Sequence, residues 1–198
     1  MLENKKKITV VGAGLAGSEC ALQLAEKGYE VDLYEMRGVK STPAHKTTDF
    51  AELVCSNSFG SISEVSATGQ MKWEAEKLNS YILTEAKKAA VPAGQALGMD
   101  RELFARLVTE KIEKHPRIQI RREVITSLEQ LPRPTVIATG PLTDESLAAD
   151  LQKHFGDEFL YFFDAIAPII DADSINTEIV WKADRYDKGT KDYINCPM

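Results

Sequence analysis

Residues 10–17 read Val-Val-Gly-Ala-Gly-Leu-Ala-Gly, which places Gly12, Gly14 and Gly17 in a G-x-G-x-x-G pattern. The spacing meets three demands of dinucleotide binding: Gly12 permits a tight turn, Gly14 lets the backbone approach a pyrophosphate, and Gly17 lets a helix pack closely on a strand. Ala13, Leu15 and Ala16 fill the remaining positions, and the N–H groups of a helix beginning here would face the anion. Glu35 lies eighteen residues after Gly17. A carboxylate there accepts hydrogen bonds from an adenosine ribose and repels a 2′-phosphate, so FAD or NAD is favoured over NADP.

The other chemical candidate is Cys55, in Glu52-Leu53-Val54-Cys55-Ser56-Asn57-Ser58-Phe59. Its polar, loop-like setting suits a reactive thiolate, and the competing reading is a small buried hydrophobe. Cys20 reads as a core residue of the first helix and Cys196 as structural. Three widely spaced cysteines make neither a disulfide framework nor a zinc site, and no metal is expected. His45 is open between a cofactor contact and a surface position, and Arg101 between a phosphate contact and a neighbouring acid. Asn57 and Ser58 either meet a flavin edge or hold their own loop by side-chain-to-backbone bonds. Tyr161, Phe162 and Phe163 keep company with Ile166 and Ile169, which favours core over a base-stacking platform.

These groups need a scaffold. Lys7 to Val11 reads as a buried strand, Ala16 to about Lys27 as a helix stopped by Gly28, and Val31 to Tyr34 as a second strand. Strand, glycine turn, helix and strand in about thirty residues make a βαβ unit and hence a parallel sheet. From Arg37 to Gln70 no period is sustained, and a loop that long is expected to be functional, with Phe50, Leu53, Val54 and Phe59 packing it. Met71 to Ala89 reads as one helix, and Asp100 as the N-cap of another reaching about Lys114. Ile118 to Ile125 and Thr135 to Ala138 read as strands, and Tyr161–Phe163 and Ala165–Ile170 as strands of a small second sheet. The fold class is therefore α/β, a Rossmann-like parallel sheet with part of a second, smaller domain. The boundaries expected are 1–143, with a loop insertion at 38–70, and 144–198. The ending Asn195-Cys196-Pro197-Met198 has neither helix cap nor polar tail, so the second domain is expected to be truncated.

Composition narrows the class further. The chain has 198 residues, 43% hydrophobic and 27% charged, with a formal net charge of -6. That is an ordinary globular composition, and no apolar run approaches the roughly 20 residues a membrane span requires. A cytoplasmic protein without membrane contact is expected. The acidic balance argues against a whole-surface nucleic-acid binder. The segment Arg101–Arg133 carries eight bases against five acids, so a polyanion contact is expected there rather than in the acidic stretch from Thr143 to Glu178.

Two later segments bear on the choice of dinucleotide. Val136-Ile137-Ala138-Thr139-Gly140 resembles the second signature of two-dinucleotide-binding flavoproteins, and Arg122-Glu123-Val124 resembles the segment whose backbone meets the adenine in them. Together with Gly12 and Glu35 they favour FAD. The chain as a whole resembles the bacterial folate- and flavin-dependent tRNA (uracil-5-)-methyltransferases, relatives of the glucose-inhibited-division type tRNA-modifying flavoproteins. The match is carried by Gly12–Glu19, Leu33–Arg37, Thr42–His45, Glu52–Ser58, Val91–Gly94, Asp100-Arg101, Ala138–Thr143, Arg185–Gly189 and Tyr193–Met198. This resemblance implies that a one-carbon unit passes from 5,10-methylenetetrahydrofolate to C5 of a T-loop uridine in tRNA, with FAD as carrier or reductant and NAD(P)H resupplying electrons. It implies that Cys55 is one of two functional cysteines, acting in adduct formation or in proton handling, since C5 of uracil becomes nucleophilic once a thiolate adds at C6. The second cysteine of the family lies in a segment beyond Met198, which puts autonomous catalysis in question. A flavin-dependent oxidoreductase acting on a small molecule, and a catalytically silent FAD-binding fragment, are the alternatives. A homo-oligomer is left open.

Overall fold

The β-branched run Ile8-Thr9-Val10-Val11 prefers an extended backbone, and it forms the first strand of the computed structural model, which describes residues 7–156, 172–183, 191 and 193–195. In chain order the helices and strands are β1 (Lys7–Val11), α1 (Leu15–Glu26), β2 (Glu30–Glu35), β3 (Ser58–Ser61), α2 (Ala67–Lys77), α3 (Tyr81–Lys88), β4 (Ala90–Val91), β5 (Ala96–Met99), α4 (Arg101–Glu113), β6 (Ile118–Arg122), β7 (Thr135–Ile137), α5 (Glu145–Phe155), β8 (Trp181–Ala183) and β9 (Tyr193–Asn195). They fall into two units, one made of residues 1–52 and 105–165, the other of 53–104 and 166–198. The division crosses α4 between Phe104 and Ala105.

The first unit holds a four-stranded parallel sheet in the order β6-β2-β1-β7. Its register sets Val10 opposite Leu33 on one side and opposite Val136 on the other. The inner strands read as continuous apolar runs because both their faces are covered: Val10, Val11, Val31 and Leu33 are buried, as are Ala21, Leu22 and Ala25 of α1. Each large side chain among them contributes about 1.5–3 kcal/mol by leaving water. A second cluster joins Val11 to Ile125, Leu131, Leu147 and Leu151, which brings α5 into this unit. Asp144 starts that helix by accepting the Ser146 N–H at 2.9 Å, a side-chain N-cap.

In the second unit β5 lies between β3 and β4 in an antiparallel sheet. The stretch Met71–Ala89, which reads as one helix, is two. Asn79 takes a left-handed φ of 55° after α2, and Ser80 caps the next helix by accepting the Leu83 N–H at 3.1 Å. Helical periodicity on both sides conceals a break made by two polar residues. The aperiodic loop likewise contains β3 and the start of α2, whose N-cap is Ser66. Asp100 is the expected cap, accepting from Glu102 N and Leu103 N at 3.0 Å each. Phe104, at the end of this unit, meets Phe59 edge-to-face with centroids 5.8 Å apart. The expected strands Tyr161–Phe163 and Ala165–Ile170, and Cys196, lie outside the described residues.

The turn from β1 into α1 is sterically tight. A β-carbon on Gly17 would lie 1.7 Å from the Gly12 carbonyl oxygen, whereas one on Gly14 meets nothing within 4 Å. Gly17→Ala is expected to cost roughly 1–3 kcal/mol by forced backbone displacement, or about 2–4 °C of Tm per kcal/mol in a chain this size. Gly14→Ala is expected to stay within about 1 kcal/mol of the parent, the cost of a poorer N-cap. Thermal melts followed by circular dichroism check both, and equal Tm losses would contradict the assignment.

Candidate nucleotide site

The site grows from the point where three strands end together. The Gly12 N–H donates to the Tyr34 carbonyl at 2.8 Å, and the Ala138 N–H donates to the Val11 carbonyl at 2.8 Å. The chain must then leave β1 sharply, and Gly12 does so with φ +94°, where a β-carbon would lie 2.6 Å from the Ala138 carbonyl oxygen. Gly14 is the N-cap of α1 and has no side chain with which to satisfy the exposed N–H groups; the first turn carries no acidic residue either. Those groups and the helix dipole present partial positive charge. An anion can reach them closely, because the position of a Gly14 β-carbon is open space.

Glu35, the last residue of β2, is buried and accepts four hydrogen bonds from the chain itself. Its Oε2 accepts from Ala13 N at 2.8 Å and Arg37 Nη2 at 3.2 Å, and its Oε1 from Arg37 N at 2.9 Å and Arg37 Nε at 3.0 Å. These fill about the number of acceptor positions that a carboxylate has. Burial pushes the Glu35 carboxyl up, and the hydrogen bonds and charge of Arg37 more than reverse it, holding the group below the usual carboxylate range. Arg37 Nη1 also donates to the Asp49 carbonyl at 2.7 Å and lies 3.5 Å from Glu52 Oε2. Glu52 in turn accepts from Lys46 N at 2.8 Å, Thr47 N at 3.1 Å and Thr47 Oγ1 at 2.9 Å, closing the segment 46–52 on itself. Ala51 completes the knot with a left-handed φ of 52° and donates its N–H to the Ala13 carbonyl at 2.8 Å. That conformation costs a residue with a β-carbon roughly 1–2 kcal/mol, which the surrounding bonds must outweigh.

Around this corner a cleft is lined by Gly12, Gly14, Tyr34, Glu35, Arg37 and His45, and continues along Val124, Ile125, Thr139 and Thr143. His45 Nδ1 lies 2.7 Å from Thr42 Oγ1. Burial and the charge of Arg37 push its imidazole down against the opposing pull of Glu52 and Glu35, so it is neutral at physiological pH. Thr143 Oγ1 bridges Thr139 Oγ1 at 2.6 Å and the Gly140 carbonyl at 2.7 Å, tying the end of β7 to the approach of α5. Asp144, also at the cleft, accepts from Lys40 Nζ at 2.6 Å. That bond foremost holds its carboxyl below the usual range.

Of the residues singled out in the sequence, Gly12, Gly14, Glu35, His45, Val124 and Thr139 line this one cleft. Ala13, Leu15, Ala16 and Gly17 form the loop and first helical turn behind it, and Gly140 follows Thr139 at an exposed position with φ +67°. Cys55 belongs to the second unit and is exposed; Cys20 is half-buried rather than core. Arg37, Tyr34, Thr143 and Asp144 were not legible as site residues. One signal for Arg37 was available: residues two apart at a strand end point the same way, which places a guanidinium beside the Glu35 carboxylate. At least four of the eight bases between Arg101 and Arg133 are engaged inside the unit. Arg122 donates to the Arg37 carbonyl and sits 4.3 Å over the Phe50 ring, Arg121 lies 3.3 Å from Asp32, Arg117 donates to the Ala25 carbonyl at 3.4 Å, and Lys114 pairs with Glu110 at 2.7 Å. Among the described residues no group of His, Cys, Asp and Glu is arranged to hold a metal ion, and no helix is long and apolar enough to cross a membrane.

The chain is similar to known proteins over almost its whole length. It is 72% identical over 197 residues to the methylenetetrahydrofolate–tRNA-(uracil-5-)-methyltransferase TrmFO of Bdellovibrio bacteriovorus, covering 100% of this chain and 45% of that protein. It is 54% identical over 192 residues to the TrmFO of a Sulfurihydrogenibium species, covering 97% and 44% respectively. The chain thus spans less than half the length of these curated relatives. A solved structure described as the GidA-related protein from Thermus thermophilus aligns with a TM-score of 0.43 and 16% identity, over 75% of this chain and 68% of that one. The sequence matches the family described as glucose inhibited division protein A over residues 7–198, and the chain belongs to that family.

Proposed function

We propose that this chain provides the FAD-binding part of a methylenetetrahydrofolate- and FAD-dependent tRNA (uracil-5-)-methyltransferase, which forms 5-methyluridine in the T-loop. The observation that carries the reading is the cleft at the fingerprint, where an uncapped helix N-terminus, a glycine opening onto empty space and the Glu35 carboxylate converge. The high identity to proteins bearing the TrmFO name supports the choice of reaction.

The residues present fit the adenosine diphosphate half of FAD. Gly14 and the first turn of α1 would take the pyrophosphate, Glu35 the ribose side, Val124 the adenine side, and Thr139 with Gly140 the return strand. When bound, FAD supplies the redox capacity that carries or reduces the one-carbon unit taken from 5,10-methylenetetrahydrofolate, with NAD(P)H as the electron source. Cys55 is assigned the thiol chemistry at the uracil ring or the handling of its C5 proton; its exposure in the second unit supports access by a macromolecular substrate. His45, neutral and held by Thr42, offers a ring nitrogen to the cleft without adding charge. The proposed setting is the cytoplasm, with tRNA as partner and a homo-oligomer as the assembly to be tested.

Two measurements address this reading. The purified chain should take up stoichiometric FAD with a visible flavin spectrum, and Gly14→Val should abolish uptake while the protein still folds, because the β-carbon position is open space on the anion approach and the change otherwise costs only a poorer N-cap. Retention of bound flavin by this variant would overturn the cleft as the site. Separately, Cys55 should react with a thiol reagent faster than Cys20 in the folded protein. Cys20 is half-buried, and burial together with the neighbouring Glu19 pushes its thiol up, away from thiolate. Mass-spectrometric labelling rates decide it, and equal rates would remove the reason for giving Cys55 a chemical role.

A further inference from the structure

Arg37 is buried although it carries a full charge, and every arm of its guanidinium is used. Two arms grip the two oxygens of Glu35, and the third holds the Asp49 carbonyl beside Glu52. The consequences run straight to the fingerprint. Glu35 Oε2, fixed by this fork, receives the Ala13 N–H at 2.8 Å. The Ala13 carbonyl accepts from Ala51 N at 2.8 Å and from Ser18 Oγ at 3.1 Å. The N–H and the carbonyl of Ala13 are therefore held by Glu35 and Ala51, which lie in segments that Arg37 fastens together, and Ala13 lies between the two glycines that shape the anion approach.

We propose that Arg37 is a positioning residue for the cofactor, acting through Glu35 and residues 49–52 to set the fingerprint loop before a nucleotide arrives. The proposal rests on the FAD reading. It differs from a simple ribose contact in one respect: the Glu35 acceptors are already occupied, so a ribose hydroxyl must share one or displace an Arg37 N–H, and Arg37 governs how tightly the ribose is held. A structural arginine would affect folding alone. A positioning one also governs the protonation of Glu35, which without Arg37 is a buried carboxylate with no fork. The other ionisable groups facing it are His45, Arg122 and Glu52.

The test is FAD affinity by equilibrium titration of flavin fluorescence between pH 5 and 8, on the full chain, for the parent, Arg37→Met, Arg37→Lys and the double variant Arg37→Met with Glu35→Gln. Arg37→Met should weaken FAD roughly 10- to 100-fold at neutral pH, the loss of hydrogen bonds to a charged group. It should weaken further as the pH falls, because burial now raises the Glu35 carboxyl and the group takes up a proton. The double variant should bind more tightly than Arg37→Met and lose the pH dependence that comes from Glu35. Loss of the Arg37 charge also releases His45 upward, so the same four proteins are titrated with His45→Gln added to subtract its contribution. Arg37→Lys should restore the parent's pH profile but only part of its affinity, since an ammonium cannot fork. Arg37→Met with parental affinity and profile overturns the proposal. If that variant does not fold, the double variant, which buries no unpaired carboxylate, is compared with Glu35→Gln alone: equal FAD affinity in the two overturns the proposal, and weaker binding in the double variant at a normal melt upholds it. A parent that binds no FAD overturns the cofactor reading itself, whereas a parent that binds while all variants match it overturns only the role of Arg37.

Discussion

The buried pair between Glu35 and Arg37 is the interaction on which the candidate site depends. Removing two charges from water is expensive, and their mutual attraction repays it only when the geometry is good and the remaining polar atoms are satisfied. Both conditions hold. The fork is bidentate, and the third guanidinium arm ends on the Asp49 carbonyl. The net contribution to folding is small by the same principle, so the pair is better understood through what it orients. It joins the end of β2 and the fingerprint loop after β1, which the β1–β2 ladder already holds side by side, to the segment up to Glu52, which no helix or strand ladder connects to either.

The surrounding sheet makes this possible by ending its strands at one level. The bonds from Gly12 N to Tyr34 O and from Ala138 N to Val11 O carry the ladder one residue past the strands, so the turn begins where pairing stops. Gly12 and Gly17 are then required by the chain's own atoms, while Gly14 is not. This separates two demands that look identical in a G-x-G-x-x-G string. Two glycines permit the fold, and the third leaves room for something the fold itself does not supply.

Much of the first unit was legible because its signals are local and periodic. The βαβ arrangement follows from apolar runs of strand length around one helical period, and Asp100 announces α4 by capping it. The second unit was less legible for a physical reason. Its strands are two to four residues long, β3 is half-exposed and β4 exposed, and the buried β5 contains Gly98 where packing against Ala93 leaves no room for a side chain. Such strands exist through their partners rather than their own pattern. Asn79 and Ser80 broke a helix whose apolar spacing gave no warning. At the site, Glu35 was visible because its distance from the glycines is regular. Arg37 was missed because burial of a lone arginine is a tertiary outcome, although its spacing from Glu35 pointed the right way.

The same network alters how the first dinucleotide preference should be understood. A lone carboxylate at the end of β2 would repel a 2′-phosphate by its own charge. Here Glu35 is forked by Arg37 and lies within the field of Arg122, while Glu52 and Asp49 supply further negative charge around the two guanidinium groups. The negative charge of the corner is thus shared among several carboxylates and partly offset by two guanidinium groups rather than placed on one side chain. Repulsion of a phosphate is thereby a property of the cluster, weakened at any single atom and screened in proportion to the exposure of Asp49 and Glu52. Steric and hydrogen-bonding terms gain weight accordingly. On the proposed FAD reading, a ribose would have to fit against a carboxylate whose acceptors are already engaged, a requirement set by Arg37 and Ala13 rather than by charge alone.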